Sequence, residues 1–376
     1  MERMNLHIIA LNIPYPPNYG GVIDMYYKLP ELHRLGVKLI LHCFVYDRPP
    51  AAELEALCEN VYYYKRRTGL MANLSFLPYN VCSRKDPHLI ERLLHDDYPI
   101  LFEGLHSCYY LTDKRLAGRL KLYREGNIEH DYYRLLARSC RTLFTKAFLL
   151  VEAWRFRRYQ RVIASADITL AISLADAAYL RQQFPGRRIE FMPAFHAGER
   201  VTSEAGRSGF ILYHGKLSVF ENEHVALFLI AQVFSRLDCP CILAGMNPSE
   251  RIRAKAAPYP HIIVEANPTA ERMDYLTREA QVHLLVTFQD TGLKLKLLNS
   301  LFAGRHIVAN RLMLAGSGLD SLCHIADTPE EMITACRRLL AEPFTEEETE
   351  RRRSFLFPDY SPAYQAARLL RMLEGN

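Results

Sequence analysis

The sequence predicts an α/β protein made of two doubly wound, Rossmann-like domains. Three observations carry that expectation. Short apolar runs alternate with helix-period segments in two separate series along the chain. The first strand of each series runs into a glycine-containing loop, at Gly20-Gly21 and at Gly215. The 376 residues are 49% hydrophobic and 24% charged, which suits two buried cores better than one.

The first series opens on "LHIIALN" (6–12), which ends in the breaker-rich "IPYPPNYGG". "VIDMYYKLPELHRLG" has helical spacing and stops at Gly36, and "VKLILHCFVY" is the next strand, completing a βαβ unit. In the second series, "GFILYHGKLS" is a strand entering a loop, "NEHVALFLIAQVFSRL" is helical and "CPCILAGM" is a strand. "HIIVEAN", "VHLLVTF" and "HIVAN" read as further strands divided by helical patterns. The polar, weakly periodic "PAFHAGERVTSEAGRSG" (193–209) is the expected boundary, giving domains over 1–195 and 196–357. "SPAYQAARLLRMLE" reads as a last helix capped by Ser361 with Pro362 at its first position. The segment 358–376 is expected to pack back on the N-terminal domain.

Between the series lies "DYYRLLARSCRTLFTKAFLLVEAWRFRRYQRVIASA" (131–166), basic and apolar in helical register. One reading is a helix pair with a wet charged face. The other is a face that rests on an anionic membrane surface, an idea that the aromatic and basic "VYYYKRRTGLMANLSFLPYN" (61–80) supports. A net charge of +5 suits a small anionic ligand or such a surface and does not point to nucleic acid. The nine cysteines contain no C-x-x-C pair, so buried thiols in a reducing compartment are expected, with neither zinc nor disulfides. "MERMNLHIIALNIPYP" has too brief an apolar run for a signal peptide to be expected, and the longest apolar stretch, "VALFLIAQVF", is about half a spanning helix. The expectation is a cytoplasmic protein, soluble or peripheral at the cytoplasmic membrane face.

The chemical motifs narrow the function. Gly20-Gly21 is not part of a G-x-G-x-x-G, so NAD is not expected, and a Walker A motif is absent. No G-x-S-x-G elbow occurs, and Ser173 in "AISLADAAYL" reads as a helix cap. H-E-x-x-H and D-x-D are missing too, so an anionic ligand would be neutralised by cationic side chains and helix N-termini. "DTGLKLKLLNSLFAGRHIVAN" (290–310) places Lys294 and Lys296 two apart where a helix begins, an end that is already partly positive. With Lys216 at a strand end, they mark an anion site. The plainer alternative is a set of solvated surface lysines.

"PYPPNYGG", "REGNIEHDYYRLLA" (124–137), "YHGKLSVFENEHVALFL" (213–229), "LAGMNPS" (243–249) and the lysine-bearing helix stand in that order. Together they resemble GT-B glycosyltransferases, in particular the family 4 nucleotide-sugar enzymes of bacterial surface-polysaccharide clusters, over nearly the whole chain. The resemblance implies two Rossmann-like domains facing a central cleft, with the nucleotide sugar held by the second and the acceptor by the first. Its donor-binding positions fall on Gly20, Gly21, Gly215, Lys216, Asn222, Thr291, Gly292, Leu293, Lys294, Lys296 and Asn299. The catalytic candidates are Glu103, His106, Asn127 and Glu129.

Several positions depart from the family pattern. Glu221 stands where a lysine is usual, and Thr291 and Asn299 replace two glutamates, although Asn can still bond a ribose hydroxyl. Gly126 replaces the histidine of a His-Asn-x-Glu motif, leaving Asn127 and Glu129, with His106 or His130 to stand in. The implied activity is sugar transfer from a nucleoside diphosphate sugar to a hydroxyl of a glycan or lipid-linked acceptor, retaining, with no metal or other cofactor. The alternatives are a GT-B nucleotide-sugar epimerase and a non-catalytic nucleotide-sugar-binding or assembly protein.

Overall fold

The computed structural model describes residues 4–69, 75–140, 142–289 and 295–375. The chain divides into two compact units, Met1–Phe195 with Pro362–Asn376, and His196–Ser361. The helices that bear on the sites are α1 (Gly20–Arg34), α2 (Glu129–Ser139), α3 (Leu143–Tyr159), α4 (Phe220–Gln232), α5 (Leu295–Ala303) and α6 (Pro362–Leu373).

The first unit is built on seven parallel strands: β1 (Asn5–Ala10), β2 (Lys38–Val45), β3 (Asn60–Lys65), β4 (Ile100–Glu103), β5 (Lys121–Glu125), β6 (Ile168–Ala171) and β7 (Arg188–Phe191). Their spatial order is β3-β2-β1-β4-β5-β6-β7. Helices cover both faces, so adjacent residues of one strand serve opposite cores. Ile8, Leu101 and Leu122 join Val22, Met25 and Leu29 of α1 and Ala366 and Leu369 of α6. Their neighbours Ile9, Phe102 and Tyr123 join Leu89, Phe156 of α3 and Leu180 on the other face. Ser173 caps the helix that carries Leu180, accepting from the Asp176 N–H at 3.0 Å.

The second unit holds six parallel strands, β8 (Ile211–His214), β9 (Cys241–Gly245), β10 (Ile262–Ala266), β11 (Val282–Leu285), β12 (His306–Ala309) and β13 (His324–Ile325). Their order is β10-β9-β8-β11-β12-β13. Tyr213, Leu243 and Leu284 pack beneath α4 on Leu229, while Leu212, Ile242 and Ala244 face Leu276 on the other side. The ends of β8 and β9 run so close that a Cβ on Gly245 would lie 1.8 Å from the Gly215 carbonyl oxygen. Only glycine fits there.

The stretch 61–65, taken with its neighbours as possible membrane-facing chain, is the edge strand β3, with Tyr64 in the core. The charged "KLYRE" of β5 also lies in the sheet interior, because its charges are paired. Arg124 donates to both Asp24 oxygens at 2.9 and 3.0 Å and to the Met192 and Pro193 carbonyls. Lys28 bonds Glu103 and lies 3.7 Å from Asp24. Burial raises the Asp24 pKa, but the Arg124 and Lys28 charges more than offset this and hold the carboxylate below its usual range.

This quartet ties α1, β4 and β5 to the 192–195 segment. Arg124→Met uncovers a buried carboxylate and is expected to cost about 3–5 kcal/mol in urea unfolding, whereas Asp24→Leu/Arg124→Met regains most of the loss.

Candidate active site

Both sheets reverse direction of winding beside their first strand, between β1 and β4 and between β8 and β11. At such a point the connections leave to opposite faces and open a crevice outside the carboxyl ends of the strands. The sequence-predicted residues with described positions divide between these two places.

In the first unit, β4 ends in Gly104 with φ +74°, where a Cβ would press Leu11 at 3.1 Å. The turn leads into the 3₁₀ helix Leu105–Tyr110, which carries His106. On the next strand, β5 passes through Gly126 and Asn127 to Glu129, the first residue of α2. His106 Nδ1 comes to 3.6 Å from Glu129 Oε1, with the imidazole edge-on to Phe156. Beside them Arg84 is buried, donating to the Leu11 carbonyl at 2.8 and 3.0 Å and to the Asn80 carbonyl at 2.6 Å.

Burial pushes the Glu129 carboxyl up to about 8 against the pull of Arg84. Burial, then Arg84 and Arg66, push the His106 imidazolium well below its ordinary range. At neutral pH the pair is therefore a protonated acid beside a neutral imidazole. His106 Nδ1 and Glu129 Oε2 have no hydrogen-bond partner among the described residues. A buried acid and a buried base left open are suited to sugar hydroxyls, which both donate and accept.

The other first-unit candidates are placed differently. Glu103 is engaged by Lys28 in the buried quartet. Asn127 is half-buried, and its N–H serves the Glu125 carboxyl, which also accepts from the Tyr123 hydroxyl at 2.8 Å. His130 lies 3.6 Å from Asp131 rather than beside Glu129. Gly20 and Gly21 form the first turn of α1, two residues before the point where periodicity started the helix. A Cβ at Gly21 would make only ordinary contact, 3.7 Å from the Tyr19 ring.

In the second unit the organising side chain is Asn222, in the first turn of α4. Its amide donates to the Lys216 carbonyl at 3.1 Å. Its Oδ1 accepts from Lys296 Nζ at 3.0 Å and from the Tyr213 hydroxyl at 3.3 Å. Lys296, on the first turn of α5, also lies over the Tyr213 ring, 5.0 Å from its centre. A Cβ at Gly215 would crowd Asn222 at 3.3 Å. Lys216 is exposed next to it.

One turn on from Lys296, Ser300 bonds His214 and His283, each at 3.1 Å, and His283 reaches the Thr277 carbonyl at 2.9 Å. Burial, then His283 and Lys296, hold His214 down to about 3, and burial holds His283 down to about 4. Both rings are neutral struts that fix α5 against β8. Asn299 is half-buried on the same helix. Glu221, in place of the expected lysine, accepts a hydrogen bond from Thr287. Thr291, Gly292, Leu293 and Lys294 lie outside the described residues.

Sequence reasoning missed Arg84, Tyr213, Thr287 and the His214–Ser300–His283 chain. Tyr213 and His214 stand in the quoted "YHGKLSVFENEHVALFL" and Ser300 on the lysine-bearing helix, but neither stretch reveals their partners. Thr287 follows β11, His283 lies inside it, and Arg84 carries no sequence signal. Among the described residues no group of three or more His, Cys, Asp or Glu could hold a metal ion.

No protein-family model matches the chain. A 44.6 kDa protein of the cps region of Klebsiella pneumoniae is 32% identical over 174 residues, 44% of this chain. The match spans less than half of that relative, 45% of its length. Sucrose-phosphate synthase from Thermosynechococcus elongatus superposes with a TM-score of 0.69 at 15% identity, over 99% of this chain and 100% of that one. Anabaena HepE, solved in complex with UDP and glucose, gives 0.67 at 10% identity over 100% of both chains. The fold is that of the GT-B glycosyltransferases, two Rossmann-like domains with parallel sheets.

The raised Glu129 pKa has a stability consequence. Between the ordinary carboxyl value of 4.5 and about 8 the folded chain holds a proton that the unfolded chain releases, so this group's contribution falls as pH rises across that window. Glu129→Gln is expected to abolish that loss. Its Tm relative to wild type should climb from pH 5 to pH 8, by roughly 2–4 °C for each kcal/mol, as read by differential scanning fluorimetry.

Proposed function

We propose that the protein transfers a sugar from a nucleoside diphosphate sugar to a hydroxyl of a glycan or lipid-linked acceptor, as a hexosyltransferase similar to family 4 enzymes. The observation that carries this reading is the convergence of Lys216, Asn222 and Lys296 at the winding reversal of the second sheet. The Lys296 ammonium on the first turn of α5, with Lys216 exposed at the end of β8, offers positive charge to a diphosphate, so the charge is offset without a metal. The chemistry that the solved relative's UDP and glucose represent matches this arrangement. The match to a cps-region protein agrees with a place in polysaccharide or lipopolysaccharide assembly.

In the reaction the bond from the anomeric carbon to the phosphate oxygen breaks as the acceptor oxygen bonds to that carbon. The acceptor proton leaves on the departing diphosphate, which suits a retaining course. Lys216 and Lys296 stabilise the charge developing on that leaving group. Glu129, as a neutral acid, donates to a sugar hydroxyl, and His106, as a neutral imidazole, accepts from one, so the pair orients rather than ionises. No cofactor beyond the sugar nucleotide is required. A lipid-linked acceptor adds a peripheral contact with the inner membrane surface to this reading and places the protein on the cytoplasmic side.

The reading is tested by incubating the protein with UDP-, GDP- and ADP-sugars and a lipid extract, and measuring nucleoside diphosphate release. Neither binding nor release with any donor overturns it, and tight binding without turnover points to a non-catalytic subunit. Lys296→Met removes a charge-assisted contact of roughly 1.5–3 kcal/mol, so nucleoside diphosphate affinity measured by calorimetry is expected to fall about 10- to 100-fold. Asn222→Ala frees Lys296 from its positioning bond and should weaken binding in the same direction.

A further inference from the structure

Helices α2 and α3 pack on each other, and the first half of α3 is open to solvent. Residues 142–148 are exposed on every side of the helix. Leu143 and Phe144 are 85% and 86% exposed, and Phe148, Leu150, Val151 and Trp154 extend the apolar surface toward the body. Leu143, Ala147, Leu150 and Trp154 recur at helical spacing and draw one stripe along α3. The opposite face, with Ala153, Phe156 and Tyr159, packs into the core.

The charges on this helix are sorted by sign. Its acid, Glu152, is buried, where it accepts from the Tyr79 N–H and from Arg155. The exposed charges of α3 and the turn that follows are all cationic: Lys146, Arg157, Arg158 and Arg161. At the base of the stripe Arg157, Arg158 and Arg161 line a cavity of about 450 Å³ with Trp154, Gln160 and Phe184. Arg158 stacks over the Trp154 ring at 4.9 Å. The helix thus runs from an apolar tip, through an aromatic, to a concave cationic collar.

We propose that the tip of the α2–α3 pair enters the outer layer of an anionic lipid bilayer, with lipid phosphates seated among Arg157, Arg158 and Arg161. A helix end exposed on all sides is covered in full by a medium that flows around it, whereas a flat protein face would cover one side. The order apolar, aromatic, cationic follows the polarity gradient from acyl chains to headgroups. The exposed cations are complementary to anionic headgroups and to no neutral surface. Among the described residues no helix is long and apolar enough to cross a membrane, so the contact is peripheral. The choice of partner deepens the transferase reading, but the contact itself requires neither donor nor acceptor.

Trp154 is the single tryptophan of the chain, so tryptophan fluorescence, excited selectively over the tyrosines, reports this face alone. The full-length protein, without sugar nucleotide, is titrated with vesicles of phosphatidylcholine and of phosphatidylcholine mixed with phosphatidylglycerol. A blue shift and co-sedimentation on the phosphatidylglycerol vesicles, weakened by salt, are expected. Arg157→Gln/Arg158→Gln/Arg161→Gln should weaken vesicle binding by roughly 100-fold. Leu143→Ser/Phe144→Ser, at exposed positions that leave folding intact, should weaken it by at least about 10-fold. No shift on either vesicle overturns the proposal, as does equal binding to both vesicle types that is insensitive to the arginine changes. A shift that grows with protein concentration in the absence of lipid also overturns it, by assigning the face to a second copy. Nucleoside diphosphate binding measured on the same preparation separates failure of this contact from failure of the transferase reading.

Discussion

A parallel sheet wrapped by helices on both faces has no open surface, and this constraint governs where chemistry can occur in either unit. Strand residues such as Ile8 and Ile9 or Leu101 and Phe102 are consumed by the two cores. Polar groups are left to the carboxyl edge, where each strand hands over to its helix. The edge is crowded by loops except where winding reverses, beside β1 and beside β8. His106 and Glu129 emerge at the first reversal, and Lys216, Asn222 and Lys296 at the second. The candidate residues lie far apart in sequence and come together because the topology leaves them nowhere else to go.

The two sites solve opposite electrostatic problems. In the first unit, formal charge is removed: Glu129 keeps its proton to about pH 8 and His106 loses its own. The charges that remain there are Arg84, held on the Leu11 and Asn80 carbonyls, and the Asp24–Arg124 and Lys28–Glu103 pairs. What is left open is a neutral hydrogen-bonding pair, suited to hydroxyls. In the second unit the charge is kept and held in place. The Asn222 carbonyl and the Tyr213 ring hold the Lys296 ammonium in place.

The fold class was legible because its signal is repetitive: β1, β2 and β8 to β12 are apolar runs set between helical periods. The strands that went unseen lack a breaker in front of them or carry charges. β6 runs on from helical sequence, β7 reads RIEF with two charges in four positions, and β5 contains Arg124 and Glu125, whose burial makes sense only once Asp24 and Tyr123 are known to meet them. For the candidate sites, strand-end position was readable and partnership was not. Glu103 and Glu129 both look like free carboxylates in one dimension. Only three-dimensional packing shows that Lys28 takes one and that the other is buried next to His106. Arg84 had no sequence signal, since a buried arginine bonded to main-chain carbonyls belongs to no motif.

The replacement of the expected lysine by Glu221 follows from a comparison of helix starts. A helix N-terminus attracts negative charge, and a carboxylate already present there satisfies that attraction from within. Helix α4 carries Glu221 and Glu223 in its first turn, and α2 carries Asp131. Helix α5 has no acid in its first turn and bears Lys296 instead. An added cation at an already positive end costs stability unless an anion arrives from outside. Through Glu221, bonded to Thr287, α4 is internally neutralised, and its Asn222 is free to position rather than to bind. The cation sits on α5 instead, and Asn222 is the side chain that links its first turn to β8.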